Sequence, residues 1–339
     1  MSYTFAIVGC GRIAQRHAAH IASQGARLIA VCDIIPEKAA SFAGQYNCKP
    51  YASIEEMLQN EIPDVVTICT PNGLHASHSI QSLASGAHVL CEKPMCLSVS
   101  DSSKMIDAAA KNGKRLFVVK QNRYNPPVVA VKKLLNDGKL GKIISFQLNC
   151  FWNRPASYYN DQWRGTLELD GGTLFTQFSH FVDLLYWFLG DVRSVKGIRN
   201  NYLHKKIIAF EDTGAAILEM EQGAIGTFQY TVNSYGGNME GSITLFGEKG
   251  TVKIGGQYLN ELDFFSVEGE TRPVIGSSNP ANHYGLYQGS MSNHDKVYEN
   301  LIKTLDNPSH EFVEAKEAMK TVDIIEKIYR ASILIDVHQ

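Results

Sequence analysis

The chain has 339 residues, 44% of them hydrophobic and 19% charged, with a formal net charge of −2. That length favours two domains with sizeable cores, and the near-neutral balance argues against attachment to nucleic acid or a membrane surface through bulk charge. The longest apolar runs, such as FVDLLYWFLG at 181–190, fall far short of a membrane span, and MSYTFAIVGCG lacks the basic start of a signal peptide, so the expected compartment is the cytoplasm.

TFAIVG (4–9), RLIAVCD (27–33), DVVTICT (64–70), HVLCE (88–92) and RLFVVK (115–120) are predicted as fully buried strands. Helix-like stretches alternate with them: RIAQRHAAHIAS, PEKAASFAGQY, SIEEMLQN, HASHSIQSLASG and SVSDSSKMIDAAAKNG. Apolar strands alternating with helices predict an α/β fold, a doubly wound parallel sheet covered on both faces. The first strand–helix junction, VGCGRIA, spells G-x-G-x-x-A with Gly9, Gly11 and Ala14, and runs through Arg12 and Ile13. Gly9 permits the tight turn, Gly11 lets backbone approach a pyrophosphate, and Ala14 lets helix and strand pack closely. The helix then aims its first amides at the phosphates. Asp33, ending the second strand, is placed to accept hydrogen bonds from both ribose hydroxyls, and it repels a 2′-phosphate. NAD is therefore expected over NADP.

Seven cysteines lie between Cys10 and Cys150 with no CxxC, which predicts free thiols in a reducing compartment. His75 and His78 are close but lack further ligands at metal-binding spacing, so no metal is expected. In CTPNGLH (69–75), Thr70, Pro71 and Asn72 turn at the carboxyl edge of the sheet, where ligands of such folds bind, and Asn72 can equally cap the next helix. HVLCEKPMC comes next. Lys93 is predicted at the carboxyl end of a parallel strand, facing the cofactor crevice, and a partly buried lysine there can hold or take a proton from a hydroxyl.

NRYNPP (122–127) interrupts the pattern and marks the domain boundary. Alternating strands succeed it: IISFQLNCFW, VRSVKGIRNN, TGAAILEME, AIGTFQYTVN, EGSITLFG, GTVKIG and ELDFFSVE, with turns such as EQG and FGEKG, as antiparallel neighbours require. A helix is predicted over 172–189, with Leu174, Phe178, Phe181 and Leu185 as its apolar stripe. Thr176, His180, Asp183 and Trp187 share its other side, which suits a cleft wall or a histidine satisfied at a domain interface. Loop 277–295 is polar and glycine-rich, and AKEAMKTVDIIEKIYRAS has helix period.

VGCGRIA, CTPNGLH, CEKP and DGGTLFTQFSHFVDLL (170–185), in that order, resemble the glucose–fructose oxidoreductase/inositol dehydrogenase/MocA family over essentially the whole chain. The resemblance implies a Rossmann domain over 1–122. Residues 123–339 would form a substrate-binding and oligomerisation domain on a large, open, mostly antiparallel sheet. It implies a cis bond before Pro94 that fixes where Lys93 points, with His180 as the partner at the sugar hydroxyl. It also implies cofactor contacts from Thr70, Asn72, His75, Glu92, Gln121, Trp163 and Arg164. Substrate contacts are expected from Lys93, Arg123, Arg154, Tyr158, Gln177, His180, His294 and Tyr298.

FVVKQNR (117–123), FWNRPASYYN (151–160), WRG (163–165), EDTGAA (211–216) and GSITLFGEKGTVKIGG (241–256) look like one branch of that family. That branch oxidises UDP-2-acetamido-2-deoxy-glucuronate at C3 on the way to bacterial surface polysaccharides such as O-antigen. Hydride would pass to NAD⁺ and the hydroxyl proton to His180 or Lys93. Arginine forks suit the diphosphate and carboxylate of such a UDP-sugar. Many relatives carry an aspartate four residues before the histidine; here Thr176 stands there, which shifts weight to Lys93. The alternatives are an NAD-dependent inositol or free-sugar dehydrogenase, an NAD-dependent glycoside-cleaving enzyme, and a non-catalytic dinucleotide-sensing regulator. The single C-terminal helix cannot cover the open sheet, which predicts pairing of copies into a dimer or tetramer.

Overall fold

The computed structural model describes residues 2–335, apart from 278, 284–287, 308, 310, 311, 313 and 314. The chain divides into two compact units: one runs to Lys120 and takes in His294–Val322, the other comprises Gln121–Asn293 and the chain from Asp323. Residues 294–322, which the sequence pattern assigns to the second domain, thus pack with the first.

The first unit is built in the order β1 (Thr4–Val8), α1 (Arg12–Ser23), β2 (Arg27–Cys32), α2 (Pro36–Tyr46), β3 (Lys49–Tyr51), α3 (Ile54–Asn60), β4 (Val65–Ile68), α4 (His75–Ala84), β5 (His88–Cys91), α5 (Val99–Lys111) and β6 (Leu116–Val118). All pairings are parallel, in the order β3-β2-β1-β4-β5-β6. β4 is buried at every residue, and so is β1 from Phe5 on, which is why these runs carry no polar alternation. Helix α1 buries Ala14, His17, Ala18 and Ile21, one face at helical spacing. Ser53 and Ser98 cap α3 and α5 by accepting the amides of Glu56 and Asp101. Strand order reverses between β1 and β4, so the turns after β1, β4 and β5 border the crevice where such sheets bind ligands.

The remaining elements are α6 (Pro126–Asn136), β7 (Ile143–Phe151), α7 (Ser179–Leu189), β8 (Val192–Asn200), β9 (Thr213–Met220), β10 (Ile225–Thr231), β11 (Glu240–Gly247), β12 (Gly250–Gly255), β13 (Glu261–Val267), β14 (Ala281–His283), β15 (Gln288–Met291), α8 (His294–Asp306), α9 (Ala315–Ala331) and β16 (Ser332–Leu334). α8 falls within the first unit. The second unit's sheet runs β13-β12-β11-β7-β10-β9-β8-β16, antiparallel except for β7–β10 and β8–β16. Phe146, Leu148, Leu218, Phe228, Tyr230 and Leu245 are buried on one face. Ring contacts of Phe178 with Trp152 and Tyr230, and of Phe181 with Trp152, hold the α7 segment in this core. The register aligns the alternate residues Ile198, Ile217, Ile225, Phe246 and Phe264 on the other face, all of them exposed. Among the described residues, β3, α6, α8, β16 and the β14–β15 pair are regular elements that the sequence pattern did not assign. The last occupies the predicted 277–295 loop, of which 278 and 284–287 lie outside the described residues. Among the described residues no helix is long and apolar enough to cross a membrane.

Candidate active site

In the first unit, the amide of Gly9 donates to Cys32 O at 2.7 Å, which continues the β1–β2 ladder to the start of the turn. Its φ is +94°, and a Cβ there would stand 2.8 Å from the backbone carbonyl of Cys69. Gly11 differs: it precedes α1 with φ −78°, needs no special conformation, and has no protein atom within 4 Å of a would-be Cβ. The fold therefore does not itself require a glycine at position 11. A dinucleotide pyrophosphate fits there, against the amides that open α1. Gly9→Ala is expected to lower both thermal stability and NADH affinity, the strained φ alone costing about 1–3 kcal/mol. Gly11→Ala should leave the melting temperature unchanged and weaken NADH. Calorimetry with and without NADH separates the two, and equal losses of stability would contradict this division. Arg12 and Ile13 begin α1, and Asp33 Oδ2 accepts the Cys10 amide at 2.9 Å while Oδ1 accepts that of Ile35. The carboxylate so fixed ties the glycine turn to the end of β2. Burial pushes the neighbouring Cys10 thiol up to about 12, so it stays protonated.

The Glu92-Lys93-Pro94 turn leaves β5 with a cis Lys93–Pro94 bond. Glu92 is buried; its Oε2 accepts the Lys93 amide at 3.0 Å, and its Oε1 lies 2.9 Å from His17 Nε2 and 3.3 Å from His294 Nε2. Burial alone would raise the Glu92 carboxyl, but the two imidazole hydrogen bonds hold it well below the usual range, so it is an anion. A carboxylate only accepts, so both Nε2 atoms carry hydrogen, and the Tyr298 hydroxyl, 2.9 Å away, donates to His17 Nδ1. His17, Glu92 and His294 bring three ligand-type atoms within 4.8 Å of one another, a cluster drawn from distant positions that sequence spacing does not reveal. His75 spans two turns: its ring nitrogens lie 2.7 Å from Pro94 O and 2.9 Å from Thr70 O. Asn72, on the same turn as Thr70, is buried.

In the second unit, Gln121 Nε2 lies 3.3 Å from His180 Nε2, and with the amide donating that imidazole nitrogen accepts. The predicted helix is interrupted. Leu174–Phe178 is a π turn, and α7 starts only at Ser179, the kind of irregularity frequent at functional sites. Arg123, expected at the substrate, donates two hydrogen bonds of 2.8 and 2.7 Å to the buried Asp183 and lies over the Trp187 ring. Arg154 is 2% exposed; its Nε donates to Gln177 Oε1 at 2.7 Å, and Gln177 Nε2 donates to the Tyr158 hydroxyl at 2.8 Å. Arg164 pairs with Asp161 and lies over the rings of Tyr158 and Trp163. Thr176 donates to the side chain of the buried Asp170, whose Oδ2 accepts the Gly165 amide at 2.8 Å.

The first unit thus holds Gly9, Gly11, Arg12, Ile13, Asp33, Thr70, Asn72, His75, Glu92, Lys93, His294 and Tyr298, and the second holds Gln121, Arg123, Arg154, Tyr158, Trp163, Arg164, Gln177 and His180. His294 and Tyr298 are wholly buried and bear on Glu92, directly and through His17. Sequence reasoning missed His17. Its signal was a lone imidazole on the small, apolar face of α1, which also suits an ordinary core residue. Asp183 and Asp170 were missed because their partners lie far along the chain or across a turn.

A family model described as "Oxidoreductase family, NAD-binding Rossmann fold" matches residues 3–120, and one for the GFO/IDH/MocA C-terminal domain matches 128–253. The crystal structure of the WlbA dehydrogenase from Bordetella pertussis, in complex with NADH and UDP-GlcNAcA, is similar with a TM-score of 0.88 and 36% identity, covering 98% of this chain and 96% of that one. Inositol 2-dehydrogenase 3 of Saccharopolyspora erythraea is 27% identical over 259 residues, 75% of this chain and 73% of the relative. Glucose-6-phosphate 3-dehydrogenase of Bacillus subtilis is 30% identical over 186 residues, 54% of this chain and 52% of its own length.

Proposed function

The chain belongs to the GFO/IDH/MocA oxidoreductase family, an NAD-dependent oxidoreductase acting on sugar hydroxyls, and from that premise we propose that it oxidises the C3 hydroxyl of a UDP-2-acetamido-2-deoxy-glucuronate to the 3-keto sugar. NAD⁺, when bound, supplies the hydride acceptor. Lys93 or His180 takes the proton from the reacting hydroxyl, and an ammonium retained on Lys93 stabilises the charge that develops on its oxygen. Glu92, held as an anion by His17 and His294, fixes the backbone from which Lys93 projects. Arg154, joined to Gln177 three residues before His180, supplies a cation for the uronate carboxylate. The observation that carries this choice of substrate is the likeness, over 98% of this chain, to a dehydrogenase crystallised with UDP-GlcNAcA. A cytoplasmic place in surface-polysaccharide synthesis accords with such a substrate. The apolar outer sheet face, with Ile198, Ile217, Ile225, Phe246 and Phe264, supports a homodimer or homotetramer.

The test mixes the protein with NAD⁺ and a panel of UDP-hexuronates, UDP-hexoses and myo-inositol, reading bound and released NADH. Reduction is expected with the UDP-2-acetamido-2-deoxy-glucuronate. Reduction by myo-inositol alone would favour the inositol reading, which the inositol dehydrogenase relatives support. NADH formed from no sugar, with NADH still bound, would leave a dinucleotide sensor.

A further inference from the structure

Glu211, just before β9, is wholly buried in the second unit and takes no part in the chemistry above. Its Oε1 accepts the Tyr329 hydroxyl at 2.8 Å and the Tyr230 hydroxyl at 3.4 Å; Arg199 Nη1 lies 3.6 Å from Oε2, and the Arg199 guanidinium lies over the Tyr329 ring. A buried carboxylate is an expensive way to fill a core. Burial raises the Glu211 carboxyl to about 7, with Tyr329, Arg199 and Tyr230 pulling the other way.

This group holds the entrance to the π turn. The Tyr329 hydroxyl accepts the Leu174 amide at 2.9 Å, one of the first-turn donors that a helix cannot satisfy itself. Thr173 Oγ1 donates to the Glu211 backbone carbonyl at 2.5 Å. Gly172, at φ +126°, has no room for a side chain because a Cβ would overlap the Tyr329 hydroxyl. Three successive residues, 172 to 174, are thus pinned by Glu211 and Tyr329. The π turn that begins at Leu174 inserts one extra residue, and one residue in a helix is about 100° of rotation. Relaxation of Leu174–Phe178 to ordinary α pitch would swing Gln177 and His180 relative to each other by that order.

We propose that Glu211 and Tyr329 are positioning residues, a buried latch that fixes the pitch of the π turn and so the setting of His180 and Gln177. The role of those two residues rests on the function proposed above; the latch itself does not. Tyr329→Phe keeps the ring and removes the link. In the NADH-loaded protein, hydrogen exchange over 172–180 is expected to accelerate while the sheet strands keep their protection. With NAD⁺ and UDP-2-acetamido-2-deoxy-glucuronate, kcat is expected to fall roughly 10- to 100-fold, the range for sub-ångström misplacement of a reacting group, with the KM for NAD⁺ unchanged. Glu211→Gln retains an acceptor for Tyr329 and should keep kcat within a few-fold of wild type. A role in stability alone would lower the melting temperature and leave kcat per folded molecule unchanged, and that result overturns the proposal, as does unaltered exchange in Tyr329→Phe. Accelerated exchange in Tyr329→Phe, in a protein whose wild type oxidises no UDP-sugar, would keep the latch and remove the proposed substrate instead.

Discussion

Lys93→Ala is expected to lower kcat by roughly 10³-fold, within the range that removal of a positioned acid–base group produces, while NADH binds within a few-fold of wild type. The turn that bears Lys93 is set by backbone and by Glu92: the carboxylate accepts the Lys93 amide, and His17 and His294 hold that carboxylate. None of these bonds uses the lysine amine, so truncation removes the amine and leaves its scaffold. The glycine turn and Asp33, which hold the dinucleotide in the proposed function, do not involve it either. Steady-state rates with the responsive UDP-sugar, set beside NADH titrations, measure both halves of the expectation. Turnover near wild type would take the lysine out of the chemistry and leave His180 as the sole base.

Asp183→Ala is expected to destabilise the protein by about 3–5 kcal/mol, because it leaves the Arg123 charge buried without its bidentate partner. For a unit of this size that is a fall of roughly 6–20 °C in melting temperature. The pair is shielded on both sides, the Arg123 and Asp183 side chains being 6% and 3% exposed, so solvent cannot screen the loss. Arg123→Met should cost a similar amount. The double replacement, Arg123→Met with Asp183→Leu, should recover much of it, since it removes both charges rather than one. A drop of under a degree in the single variants would show that the remaining charge is not left uncompensated and would overturn this expectation. Because Asp183 lies three residues after His180 on α7, the single variants should also lose activity.

Local signals made much of this fold legible. Strands β1, β4 and β5 were readable because a parallel strand buried along nearly its whole length is apolar, whereas β2, predicted as fully buried, is buried only over Ala30–Cys32. The G-x-G-x-x-A turn announced the dinucleotide site through requirements on individual atoms. Short elements were not readable: three-residue strands such as β3 and β16 exist because a longer neighbour offers a free edge, and no pattern of their own calls for them. The site divided along the same line. Residues within one motif, such as Glu92 with Lys93, were visible together. Pairings across long separations were not, and Arg123 with Asp183, Glu92 with His294, and Glu211 with Tyr329 all belong to that class. The π turn was hidden because its sequence has the same apolar spacing as a regular helix.

The nucleotide-holding unit is stitched from two stretches of chain, the second of them running from the start of α8 to Val322. A gene cut after β6 would therefore encode an incomplete module: Glu92 would keep one imidazole instead of two, and His17 would face a hole where Tyr298 belongs. Recombination that moves this cradle must carry both stretches, and an exchange of residues 121–293 alone would part Glu211 from Tyr329 in the second unit.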